Sequence, residues 1–343
     1  MQGSQPNPVL VHAHRGPIVE SFHRGVICIV NDKKETIFSV GDTQQICYPR
    51  SAMKFFQQLP FLAAGGQEQF GLTQEEIALL CGSHNGEDFH VKTVESILSK
   101  GGFTESDLLC GPQFPTHKKD QELLIKNGLK PRKIQNNCSG KHAGFLLYAK
   151  LLGVDHTDYI SPLHPVQQEI TKICAQFYET KIDEQNTGID GCSAPIFAFT
   201  VEKQAIAYAK LVNPTGFPED IQKACKTVVD AVINYPLMIA GTKRYCTELM
   251  QICGNSIVGK TGADGVYCLA IPEKKWGITI KIDDGKMGPQ YNVAQALLQE
   301  NNLIGKDEIE GLVQYVTNEN KNFGGMKYGE TCMNPAISLK IKG

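Results

Sequence analysis

The sequence lacks an excess of charge: 34 basic residues against 36 acidic ones leave a formal net charge of −2. Nucleic acids and anionic membrane surfaces are held by surplus cations, so neither is an expected partner. It lacks any run of about eighteen apolar residues, which excludes a membrane-spanning helix. Its first residues, MQGSQPNPVLVHAHRG, have no basic segment followed by an apolar stretch of export-signal length, so a cytoplasmic location is expected. There is no internal repeat, low-complexity tract or linker-like stretch, and no paired Cys-Xaa-Xaa-Cys of the kind that marks structural zinc sites. The 12 cysteines are scattered, mostly beside Leu, Ile, Ala and Val, as small buried hydrophobes of a reducing compartment.

What is present is a chain of 343 residues, 41% hydrophobic and 20% charged, enough to bury a large core. Residues 26–30 and 36–40 are β-rich runs flanking Asn31-Asp32-Lys33-Lys34, which predicts a hairpin. From Ser51 the pattern turns helical. Met53, Phe55, Phe56, Leu59 and Leu62 leave little polar face, so this helix is expected to be buried all round, with a kink at Pro60. Thr73-Gln74-Glu75-Glu76 is a capping box for a helix that should stop near Gly82. Further helical patterns fall at 87–99, 119–127, 141–152, 164–179, 201–211, 217–239 and 243–253. The period returns to two at 265–271 and 276–282, a second hairpin through Pro-Glu-Lys-Lys, followed by a helix at 288–300 and an unassigned tail. Strands at both ends around a helical middle predict an α+β protein. Its antiparallel sheet is built from distant segments, as one catalytic domain over 1–343 with a mostly helical subdomain at about 70–240.

Three short motifs carry chemistry. Ser51-Xaa-Xaa-Lys54 heads the buried helix and puts a hydroxyl and an amine one turn apart on one face. Ser83-His84-Asn85 lies on the loop after the capped helix, and Lys260-Thr261-Gly262 immediately precedes a late strand. Each alone has an ordinary structural reading. Together, in this order, they are the motif set of the penicillin-recognising serine acyltransferases.

The chain resembles a narrower group as well. Tyr-Pro-Arg-Ser-Ala-Xaa-Lys (48–54), Val-Glu-Ser-Phe-His-Arg-Gly (19–25), Asn-Asn-Cys-Ser-Gly-Lys-His-Ala-Gly (136–144) and Asp-Gly-Cys-Ser-Ala-Pro (190–195) are similar to the Rhizobium-type, or class 3, L-asparaginases of the asparaginase II family. The similarity runs from about residue 9 to about 335. It implies a serine β-lactamase/glutaminase-like fold, hydrolysis of L-asparagine to L-aspartate and ammonia, and a homodimer.

Amide hydrolysis needs a nucleophile, a base, oxyanion donors and a proton for ammonia. Ser51 is the candidate nucleophile and Lys54 the base. A lysine is nearly all protonated at neutral pH, so Lys54 must be desolvated or placed beside a cation such as Lys260. The N–H of Ser51 at the helix start supplies one oxyanion donor, and by analogy with the acyltransferases Ala263 supplies the other. The resemblance makes Ser83 and Lys260 a second Ser–Lys pair that relays protons to the leaving amine. It also makes Cys138, Lys141 and Cys192 zinc ligands braced by Asp190, a set that residue spacing alone does not announce. Arg50, beside the nucleophile, is the candidate cation for the substrate α-carboxylate. Glu20, His23, His84, Asn137 and His142 lie in matched motifs and are candidates to line the pocket. The rival readings are a glutaminase, a β-lactamase or D-alanyl peptidase, and a non-catalytic zinc or amino-acid binding module.

Overall fold

The computed structural model describes residues 5–341. Eight strands form one antiparallel sheet drawn from both ends of the chain, as the pattern predicts. Across it run Thr317–Lys321, Lys327–Met333, Val9–Arg15, Ile18–Val30, Trp276–Ile282, Val266–Ile271 and Val258–Thr261, and Thr36–Val40 adds to Ile18–Val30. Both expected hairpins form. In the first, Asn31 closes the turn by accepting the N–H of Lys33 and of Glu35 on its side-chain oxygen. In the second, Ile271 pairs Trp276. The unassigned tail supplies the two strands at one edge of the sheet. Their polar residues, Thr-Asn-Glu-Asn-Lys in the outermost, lack the apolar alternation by which strands are recognised.

The strand Ile18–Val30 shows how the sheet is covered. Val26, Cys28 and Val30 share one face and pack on Val201, Ala205, Ile206 and Ala209 of the helix Val201–Val212, while Ile27 and Ile29 join the main core. Gly277, paired with Val30, lets that helix come close, because a Cβ there would stand 1.9 Å from the carbonyl oxygen of Ala205. Its first half, by contrast, leaves Ile18, Val19 and Phe22 exposed.

The helical middle is organised around Lys54–Ala63. Every residue from Lys54 to Leu62 is buried, and the helix runs through Pro60 without ending there. The helices Ser139–Leu152, Pro165–Phe177 and Glu219–Asn234 surround it. The Thr73–Glu76 capping box starts Gln74–Leu80 as expected. Two expectations change in detail. The helix expected from Ser51 begins as a 3₁₀ turn, Arg50–Met53, so Lys54 is its first α-helical residue. The pattern over 217–239 is two helices, Glu219–Asn234 and Pro236–Ala240. Pro236 has no N–H to continue the ladder and holds Tyr235 at φ −127, ψ 55, outside the helical region.

Replacing Gly277 by Ala must push the helix Val201–Val212 off the sheet. A cost of about 1–3 kcal/mol is expected, read as a lower urea midpoint with an unchanged slope; an unchanged midpoint contradicts this packing.

Candidate active site

Three segments distant in sequence meet where the helix Lys54–Ala63 begins. The Ser51 turn is pressed onto the strand Val258–Thr261 by a glycine: a Cβ on Gly262 would lie 2.3 Å from the carbonyl oxygen of Pro49. The loop after Gln74–Leu80 brings Ser83, whose N–H donates to Ile239 O at 2.7 Å.

At the centre is one hydroxyl. Ser83 Oγ lies 2.9 Å from Lys54 Nζ and 2.9 Å from Lys260 Nζ. Both lysines are 1% exposed. Lys54 also donates to the carbonyls of Gly82 at 2.6 Å and Asn137 at 3.3 Å, and Lys260 to Thr261 O at 3.1 Å. A hydroxyl has one proton, so it can give it to one amine while accepting from the other. Burial, and then the charge of Lys54, push Lys260 down to about 7. The sequence suggested that Lys260 would be the cation acting on Lys54; the structure places the depression on Lys260, with Lys54 as the neighbouring charge.

Ser51 sits beside this pair, partly exposed, with its hydroxyl in no hydrogen bond among the described residues. In the 3₁₀ turn, residues three apart eclipse, so Ser51 and Lys54 share a face. The backbone N–H groups of Ser51 and Ala263 likewise meet no acceptor among the described residues, and Gly262 against Pro49 holds their segments together.

Arg50 precedes Ser51 in a left-handed conformation, φ 52, which costs a non-glycine residue about 1–2 kcal/mol. Two ion pairs hold it there: Nε donates to Asp190 Oδ1 at 2.9 Å, and Nη1 pairs with Asp264. Its charge is therefore matched within the protein. Asp264, itself left-handed in the Gly-Ala-Asp-Gly turn, was not singled out from sequence.

The cysteine motifs also converge. Cys138 Sγ, Cys192 Sγ and an Asp190 carboxylate oxygen lie within 4.8 Å of one another. Lys141 Nζ donates to Cys192 Sγ at 3.0 Å, and Cys138 to Asn137 Oδ1 at 3.1 Å. The neighbouring Cys138 and the charge of Lys141 push the Cys192 thiol down; burial alone would lower Lys141, but the neighbouring Cys192 raises it. His142, fully buried, bonds Tyr159 OH through Nδ1 at 2.8 Å, while its Nε2 has no partner. Two thiols, an amine and a carboxylate with an orphaned imidazole nitrogen nearby form a donor set that fits zinc.

Other candidates are placed elsewhere. His84 is completely buried, bonded through Nε2 to Ser139 Oγ at 2.9 Å and through Nδ1 to Gly86 N at 3.1 Å, and burial lowers it well below its usual range. It props the loop and has no surface to offer a substrate. Glu20 pairs with Arg15 on the exposed strand pair and His23 with Asp284, and among the described residues neither has a hydrogen bond or ion pair to Ser51.

Lys260 has a testable signature. Its folded pKa lies below the unfolded value of about 10.4, so between about 7 and 10 the unfolded chain binds more protons and stability rises with pH. Below about 7 that gain is absent. Urea unfolding of Lys260→Met is expected to lack the slope across this window; an identical slope in both proteins contradicts the assignment.

The family model for L-asparaginase II matches residues 11–333. No curated protein matches the chain. Among solved structures, a β-lactamase from Mycobacterium bovis is similar at 13% identity over 80% of this chain and 94% of its own, with a TM-score of 0.42. Mglu in its native form is similar at 14% identity over 88% and 71%, with a TM-score of 0.45. With 323 of 343 positions inside the family match (11 through 333), the chain belongs to the L-asparaginase II family and is an amidohydrolase.

Proposed function

We propose that this protein hydrolyses L-asparagine to L-aspartate and ammonia, with Ser51 as nucleophile and a lysine pair as the proton store. The observation that carries this reading is the Ser83 hydroxyl shared at 2.9 Å by two buried amines beside the Ser51 turn. Ser51 Oγ attacks the side-chain amide carbon. Its proton passes to Lys54. As Lys54 takes that proton it hands one of its own through Ser83 to neutral Lys260, so the pair briefly holds one proton more than at rest and gives it up readily to the leaving nitrogen. The oxyanion is met by the N–H groups of Ser51 and Ala263. The stored proton returns along the same path to the amide nitrogen; the C–N bond breaks, ammonia leaves, and an aspartyl ester remains on Ser51. Water then attacks the ester, losing its proton to the same relay, which returns it to Ser51 as aspartate departs.

Cys138, Lys141 and Cys192, braced by Asp190, would hold a zinc ion. Bound there, it supplies a positive charge that orients the substrate. Lys141 must lose its proton to serve as a ligand, and Arg50 holds Asp190 in place. A homodimer in the cytoplasm is the proposed assembly and location. The 12 free cysteines support the location, and the exposed Ile18, Val19 and Phe22 support the assembly. Among the described residues, no helix is long and apolar enough to cross a membrane.

Ammonia release should be measured from L-asparagine and L-glutamine side by side. One methylene separates them, a difference of about 1–3 kcal/mol in a pocket. Ser51→Ala and Lys260→Ala are each expected to lower turnover of L-asparagine by about a thousandfold or more; activity untouched by either change rules out these roles. In the wild type, kcat/KM should rise with pH through about 7 as Lys260 becomes neutral, and a flat profile from pH 6 to 8 contradicts the relay. Removing metal with a chelator is expected to raise KM more than it lowers kcat. A loss in kcat at constant KM places the metal in the chemistry instead.

A further inference from the structure

The cation set aside for the α-carboxylate by sequence reasoning is matched by Asp190 and Asp264. A second arginine is differently placed. Arg244 donates through Nη1 to Asn85 Oδ1 at 2.8 Å and takes part in no ion pair among the described residues. It lines a cavity of about 700 Å³ together with Lys118, Lys119 and Lys243, where Glu122 is the one carboxylate. Such a recess favours an anion.

Two connections tie Arg244 to the reacting groups. The first runs through Asn85, two residues beyond Ser83 on non-helical backbone and therefore about 6–7 Å along the chain. Asn85 is 4% exposed, and both ends of its amide are engaged: Nδ2 donates to Thr242 O at 3.1 Å, and Oδ1 accepts from Thr116 Oγ1 at 3.0 Å as well as from Arg244. The second runs through the helix Tyr245–Cys253, which Arg244 caps. Cys246 Sγ accepts the N–H of Thr261 at 3.1 Å, beside Lys260.

The loop carrying Arg244 is pinned from below as well. The buried Glu87 carboxylate accepts Thr242 N at 3.1 Å and Thr242 Oγ1 at 2.7 Å. Gly241, at φ 102, leaves room for Asn85, whose Nδ2 would stand 2.8 Å from a Cβ there. Several buried groups thus fix one guanidinium whose remaining N–H groups have no acceptor among the described residues. A planar guanidinium held in this way suits a carboxylate, which it meets with two parallel hydrogen bonds.

We propose that Arg244 receives the α-carboxylate of the substrate and that Asn85 is the positioning residue that aims it. This rests on the amidase reading and deepens it: the preferred substrates are side-chain amides of free amino acids. Amides lacking the α-carboxylate are poor ones.

The test compares L-asparagine with 3-aminopropanamide, the same amide without its α-carboxylate, by ammonia release or, for slow turnover, by inhibition constant. Arg244→Ala is expected to lower kcat/KM for L-asparagine about 30- to 100-fold, chiefly through KM, as loss of a charge-assisted contact does. The truncated amide should change less than about threefold, so the preference collapses. Arg244→Lys should recover part of it, and Asn85→Ala should raise KM for L-asparagine selectively. Equal losses on both amides, or an unchanged KM for L-asparagine, overturn the assignment while leaving the amidase intact. A wild-type protein that releases no ammonia from L-asparagine overturns the amidase reading itself, and this inference with it.

Discussion

The site depends on one constraint: two lysine amines buried at 1% exposure and bonded to the same serine hydroxyl. Two ammonium charges at that separation, out of water, repel strongly. The protein resolves this by unequal surroundings. Lys54 has two backbone carbonyls in addition to Ser83, and Lys260 has one. Burial, and then the charge of Lys54, push Lys260 down to about 7, a proton vacancy near neutrality obtained without histidine.

Backbone architecture makes this pairing possible. A buried helix start brings Lys54, the end of a capped helix brings Ser83, and a buried edge strand of the sheet brings Lys260. Glycines set how closely those elements meet, Gly262 against Pro49 above all. The left-handed Arg50 is the visible strain in the assembly, and its two carboxylate partners hold the Ser51 turn to both the cysteine cluster and the Gly-Ala-Asp-Gly turn. Charges that look like substrate ligands when read along the sequence can thus be internal struts, while Arg244, in no motif, is left with free donors.

Much of this was legible in the sequence. Period-two and helical patterns located both hairpins and most helices, because burial on one face leaves a regular trace. The order of Ser51-Xaa-Xaa-Lys54, Ser83-Xaa-Asn85 and Lys260-Thr261-Gly262 anticipated their meeting. What stayed hidden was of two kinds. Edge strands such as Thr317–Lys321 bury too little to leave a pattern, and the helix break at Tyr235 turned on one proline inside an apolar run. Pairings across more than a hundred residues, such as Arg50 with Asp190 and Asp264 or Asn85 with Arg244, depend on the completed fold. The same holds for His84, whose polarity suggested a pocket and whose burial shows a prop.

The central claim is that one of these two amines is uncharged in the resting protein at neutral pH. Nuclear magnetic resonance of the protein carrying carbon-13-labelled lysine, with Lys260→Met to assign the signal, measures it directly. A Lys260 side chain titrating near 7 is the predicted result. A midpoint close to the ordinary lysine value of about 10.4 contradicts the account.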